Sequence, residues 1–193
     1  MKRLKVLLSI VLTLVVAFSL FACSTTALWQ RQGNDTQKID VDSEKVNGSE
    51  KYIVYAALDE SGDLIASGAE TTAAAYAVVG YTGLVAELVI PSTYRDATIN
   101  DLALPVTHVL VVAPYADYQC SRNGAAYTGD DARLANQTVV TSIVFGANVI
   151  FVGAGVCAGM TNLTTVHFEH VQAGVTATNA FLGCSPTITY RAS

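Results

Sequence analysis

Over residues 139–192 apolar and polar positions alternate in short bursts that recur at a nearly fixed spacing. Val140, Ile143 and Phe145 recur, in the same arrangement, as Leu163, Val166 and Phe168. A third set, Thr187, Tyr190 and Ala192, reads as the next copy at a slightly longer step, which sets Ala192 against Phe168. Between the bursts, VCAGMTNL (156–163) is echoed by AFLGCSPT (180–187) at that same longer step. Successive side chains of a strand face opposite ways. Each burst therefore predicts a short strand in which Leu163, Val166 and Phe168 point inward while Thr165, His167 and Glu169 point outward. Ser142 and Val144 precede these in the outward rows, and Thr189 and Arg191 follow. Val85, Leu88 and Ile90 repeat the spacing further upstream and give Glu87 the same outward position.

A repeat of roughly 20–29 residues with an L-x-x-L-x-L core is the mark of a leucine-rich-repeat solenoid. The expectation is a β-rich solenoid with little helix beyond residues 1–22. Upstream, Tyr52-Ile53-Val54-Tyr55-Ala56 and Tyr76-Ala77-Val78-Val79 read as strands, with Ser61-Gly62-Asp63 as turn chemistry. They predict an N-terminal β-hairpin that caps the first turn of the coil, since one repeat cannot bury its core alone. The last strand is expected to have no cap, leaving an edge open to another copy or a partner. Residues 113–138 break the pattern. They are rich in Gly, Asn and Asp, lack a repeat core, and read as an irregular insertion.

Three motifs carry a family resemblance. Leu88-Val89-Ile90-Pro91-Ser92-Thr93-Tyr94 is followed by Leu104-Pro105-Val106-Thr107-His108-Val109, and later by Ala180-Phe181-Leu182-Gly183-Cys184. Together they resemble BspA-type leucine-rich-repeat proteins of bacterial surfaces, over roughly residues 76–192. The turn at 156–163 departs from that pattern, with Cys157 in the Phe position and Met160 in the Cys position. The resemblance implies adhesion or host interaction.

The N-terminus reads as export information. Met1-Lys2-Arg3-Leu4-Lys5 is a short basic region, and Val6 to Ala22 is an apolar run interrupted only by Ser9, Thr13 and Ser19. Such a segment sits where a signal peptide belongs. Leu20-Phe21-Ala22-Cys23 resembles a bacterial lipobox, which implies cleavage after residue 22 and lipidation of Cys23. Residues 23–50 are polar and predict a flexible tether to a domain at 51–193. The expected localisation is extracytoplasmic, at the bacterial cell surface, on a membrane lipid anchor.

Charge and chemistry narrow the function. The net charge is −5, and removing Lys2, Arg3 and Lys5 with the leader leaves eight basic against sixteen acidic residues, a net of −8. Such an acidic chain is repelled by phosphate backbones, so nucleic acid is not an expected partner. There is no C-x-x-C pair, no G-x-S-x-G, no H-E-x-x-H and no glycine-rich phosphate loop. His167 and His170 fall on opposite sides of a strand and do not predict a shared metal. No cofactor is expected. The reading is a non-catalytic surface protein that binds a protein or a glycan, or, alternatively, a structural envelope module that associates with its own kind. Ligand contact is expected on the outward strand face (Glu87, Thr165, His167, Glu169, Thr189, Arg191) or on the insertion (Tyr115, Tyr118, Tyr127, Asp130, Asp131).

Overall fold

The computed structural model describes residues 47–193 except 71, 98, 130 and 131. They belong to one compact unit, Ile39–Ser193. Cys23 and Trp29 lie outside the described residues, as do Asp130 and Asp131.

Two continuous apolar runs form the centre. β1 (Ile53–Leu58) and β2 (Ala75–Tyr81) pair antiparallel and are buried on both faces. Period two divides their side chains. Ile53, Tyr55 and Ala57 enter the main core, whereas Val54, Ala56 and Leu58 enter a second cluster on the other face. A register shift next to Val54/Tyr55 moves β2 by one residue, so Tyr81 joins Tyr76 and Val78 in the main core.

The remaining strands, in chain order, are β3 (Glu87–Ile90), β4 (Thr93–Asp96), β5 (Asn100–Val109), β6 (Cys120–Arg122), β7 (Ala125–Ala126), β8 (Ser142–Phe145), β9 (Phe151–Val152), β10 (Thr165–Phe168) and β11 (Thr187–Tyr190). A curled, half-barrel sheet runs β4-β5-β2-β1-β6-β7, with β9 added parallel to β5. A second sheet is wholly parallel, in the order β11-β10-β8-β3. The helices among the described residues are single 3₁₀ turns.

This architecture overturns the expected leucine-rich-repeat solenoid. The β-rich content is as expected, but the repeat does not organise the fold. β3 pairs directly with β8, although the long segment 91–141 separates them in the chain and builds much of the curled sheet. The return segment β9 is annexed to that sheet through β5. The parallel strands bury Leu88, Ile143, Phe145, Val166 and Phe168 against Tyr55, Tyr76 and Tyr94, in a core shared by both sheets. Nor is the hairpin a cap, because β1 and β2 lie in the middle of the larger sheet.

The third copy also needs correction. Phe168 pairs with Tyr190 rather than Ala192, which falls beyond the strand. Stacking fixes this register: Phe145 and Phe168 lie 4.6 Å apart at 16°, and Phe168 and Tyr190 lie 5.1 Å apart at 11°.

The stretch at 113–138 is less irregular than expected. Its 3₁₀ turn Tyr115–Asp117 leads into β6, which pairs with β1 and turns back through β7. Tyr115 donates to Val79 O at 3.0 Å and accepts from Ala132 N at 3.1 Å. Gly80 permits this approach, since a Cβ there would stand 2.7 Å from Ala132 O. The segment thus covers the outer face of the curled sheet.

Candidate functional site

The outward face of the parallel sheet is set by alternation on a rigid apolar ladder. β8 and β10 each bury their second and fourth residues and leave the first and third accessible. Pairing aligns Glu87, Ser142, Thr165 and Thr187 in one row, and Val89, Val144, His167 and Thr189 in the next. Glu169 and Arg191 continue the face: their amides donate to Phe145 O and Phe168 O at 2.9 and 2.8 Å.

The centre of this face is polar and ordered. His167 Nδ1 lies 2.8 Å from Thr189 Oγ1, which itself donates to Val166 O at 3.3 Å. His167 Nε2 stands 3.5 Å from Glu169 Oε1, an ion pair when the ring is protonated. The group presents an imidazole edge beside the Thr165 and Thr187 hydroxyls. Among the described residues, no three His, Cys, Asp or Glu side chains are arranged to hold a metal ion.

The face is closed on the β3 side. Val89 is only 5% exposed, because the residues before β1 fold over it. Ser49 Oγ accepts from Val89 N at 2.9 Å, and Asn47 Nδ2 donates to Glu87 O at 2.8 Å. By composition residues 47–50 belong to the end of a flexible tether, yet Ser49 and Glu50 are buried. The signal in the sequence is Asn47-Gly48-Ser49, turn chemistry with Gly48 at φ 87°.

The other candidates are dispersed. Tyr115 is 3% exposed and belongs to the second core cluster. Tyr118 is half-buried beside that cluster and bridges to Ala66. Tyr127 packs edge-on to Tyr115 at 5.9 Å, with the Arg122 guanidinium 5.0 Å over its ring. These tyrosines hold the 113–127 segment onto the sheet and do not line a common opening. Asp59, in the acidic cluster at 59–63, accepts the Ser61 and Asp63 amides at 2.8 and 3.0 Å, which makes that cluster a turn.

The polar cluster that sequence reasoning missed is internal. Tyr55 stacks on Tyr94 at 3.7 Å and 11°, and Tyr76 meets Tyr94 edge-on at 5.0 Å. Tyr94 Oη accepts from Gly124 N at 2.8 Å and from Ser121 Oγ at 3.1 Å. Among the described residues the hydroxyls of Tyr55 and Tyr76 have no hydrogen-bond partner. Burial raises the pKa of all three, and the Asp96 charge raises those of Tyr76 and Tyr94 further.

Fold and site together define a β protein that presents a small, preformed polar face on a parallel sheet. Comparison with family models, with curated proteins and with solved structures finds no match.

Proposed function

We propose that this chain is a lipid-anchored bacterial surface protein that binds a protein or glycan without catalysis, through the outward face of its parallel sheet. The observation that carries this reading is the His167–Thr189–Glu169 group, fixed above an aromatic ladder and flanked by the Thr165 and Thr187 hydroxyls. Rigid elements hold recognition groups better than loops do, since little side-chain freedom is lost on binding. The lipobox-like Leu20-Phe21-Ala22-Cys23 and the BspA-type motifs at 88–94 and 180–184 support a surface setting by analogy. Among the described residues no helix is long and apolar enough to cross a membrane; attachment through acyl chains on Cys23 rests on the lipobox-like stretch alone.

Two measurements test the proposal. Cys23→Ser should move the protein from the detergent phase to the aqueous phase on phase partitioning, and an unchanged partition would refute lipid anchoring. Arrayed glycans and matrix proteins should be bound by the full chain and lost to His167→Ala/Glu169→Lys, while ellipticity stays unchanged. Binding that survives the double variant would remove the sheet face as the site.

A further inference from the structure

The two edges of the parallel sheet differ. In β3 the residues whose backbone groups point away from β8 are Glu87 and Val89. Asn47 satisfies the Glu87 carbonyl, and Ser49 engages both the amide and the carbonyl of Val89. That edge is closed. Among the described residues β11 has no such guard. Its inward amides are identified by Thr187 N bonding Thr164 O and Arg191 N bonding Phe168 O, both at 2.8 Å. Residues 187, 189 and 191 therefore face β10, and Ile188 and Tyr190 present their amides and carbonyls to the open side. No described residue pairs with them.

The side chains at this edge are unfinished as well. The apolar ladder Leu88–Ile143–Val166–Ile188 ends on a residue 40% exposed. The ring stack Phe145–Phe168–Tyr190 ends on a half-buried tyrosine. The strand carries no Lys, Pro or bulge, the usual protections of an edge.

We propose that β11 is the interface for a second copy of this chain, joined edge to edge and antiparallel about a two-fold axis at Thr189. One closed edge and one open edge exclude head-to-tail growth, so only a self-complementary contact remains. The register follows. With Thr189 opposite its own copy, Ile188 faces Tyr190 of the second chain, and Tyr190 faces Ile188. Each of these pairs exchanges both backbone hydrogen bonds, because their free groups point across the gap. Ile188 and Tyr190 then meet on the apolar side as a β-branched–aromatic cross-strand pair. The Thr189 side chains meet on the polar side and bring the two His167–Glu169 groups together in one continuous face. A four-residue edge buries less than the ~1,200 Å² of a standard interface, so the pair is weak in dilute solution. Confinement on a common surface would strengthen it by raising the effective concentration.

Cysteine cross-linking tests the axis itself. Thr189→Cys, in a Cys184→Ser background of the full chain purified in mild detergent, places two thiols at a non-hydrogen-bonded pair with Cα atoms ~4.5 Å apart, within reach of a disulfide. Copper-phenanthroline oxidation should give a band of doubled mass on a non-reducing gel. Thr165→Cys in the same background should give at least tenfold less. Adding Ile188→Lys should abolish the Thr189→Cys dimer while ellipticity and the unfolding midpoint confirm the fold. No dimer at position 189, or equal yields at 165 and 189, overturns the proposal and leaves the edge to a strand of another protein. A dimer that survives Ile188→Lys in the folded protein overturns it too.

Discussion

Removing a hydroxyl from the tyrosine cluster should stabilise the protein at two positions and destabilise it at the third. Tyr55 and Tyr76 are fully buried, and their hydroxyls have no hydrogen-bond partner among the described residues. A buried unsatisfied polar group carries a desolvation cost of about 1–3 kcal/mol. Tyr→Phe at either position removes that cost and leaves the ring packing in place, including the 3.7 Å stack of Tyr55 on Tyr94. The expected gain is about 1 kcal/mol each, the low end of that range, since the native core relaxes around its hydroxyls. Tyr94→Phe has the opposite sign. It strands the Gly124 amide and the Ser121 hydroxyl, the latter in a residue only 1% exposed, and should cost about 1–3 kcal/mol. Urea denaturation followed by far-UV ellipticity gives the three midpoints, and unchanged m-values would tie the shifts to stability. Should Tyr55→Phe and Tyr76→Phe each cost as much as Tyr94→Phe, those two hydroxyls have partners in solution, such as buried water, and the reasoning is wrong.

Two further outcomes follow from the same core. Phe168→Ala removes the middle ring of the stack and should cost about 3–5 kcal/mol, whereas His167→Ala, one residue away on the accessible face, should cost about 0.5 kcal/mol; a costlier His167 would invert the strand register. Alkali should unfold the domain cooperatively. Burial pushes Cys120 up to about 11 and Cys157 up to about 12, and raises Tyr55, Tyr76, Tyr81 and Tyr94. Above roughly pH 9 the unfolded chain releases these protons first, so it binds fewer than the native state and stability falls as pH rises, by up to ~1.4 kcal/mol per group per pH unit. Ellipticity should be lost together with the late part of the tyrosinate absorbance rise. Complete ionisation of all nine tyrosines with ellipticity intact would contradict the burial argument.

What could be read in the sequence was local. The likeness linking Leu88, Ile143 and Val166, and Ile90, Phe145 and Phe168, was visible because each short strand repeats the same internal alternation, and those residues do pair. The curled sheet was not visible, because its pairings join distant segments with no repeated pattern. β6 is only Cys-Ser-Arg, without apolar alternation, and its place beside β1 is fixed by a tertiary contact, Ser121 to the Tyr94 hydroxyl. β5 was obscured by its polar start and by Pro105, which lacks the amide a strand normally offers. The solenoid expectation extended a local repeat to the whole chain. Nothing in the spacing reveals that the segment between β3 and β8 contributes β4 to β7 to the curled sheet built on β1 and β2.

The candidate face survived the error in the last strand for a definite reason. Following the turn Ala180-Phe181-Leu182-Gly183-Cys184 puts Ala192 opposite Phe168, whereas the ring stack puts Tyr190 there. A slip of one residue would have turned every side chain of β11 to the wrong face. A slip of two restores the face and moves only the row. Thr189 and Arg191 therefore stay on the outward side as the alternation required, and Thr189 becomes the direct neighbour of His167. Which side a residue faces depends only on parity, so short-range pattern can fix it. Which residue it meets depends on how many residues the intervening turn absorbs, and here the ring stack decides that in three dimensions.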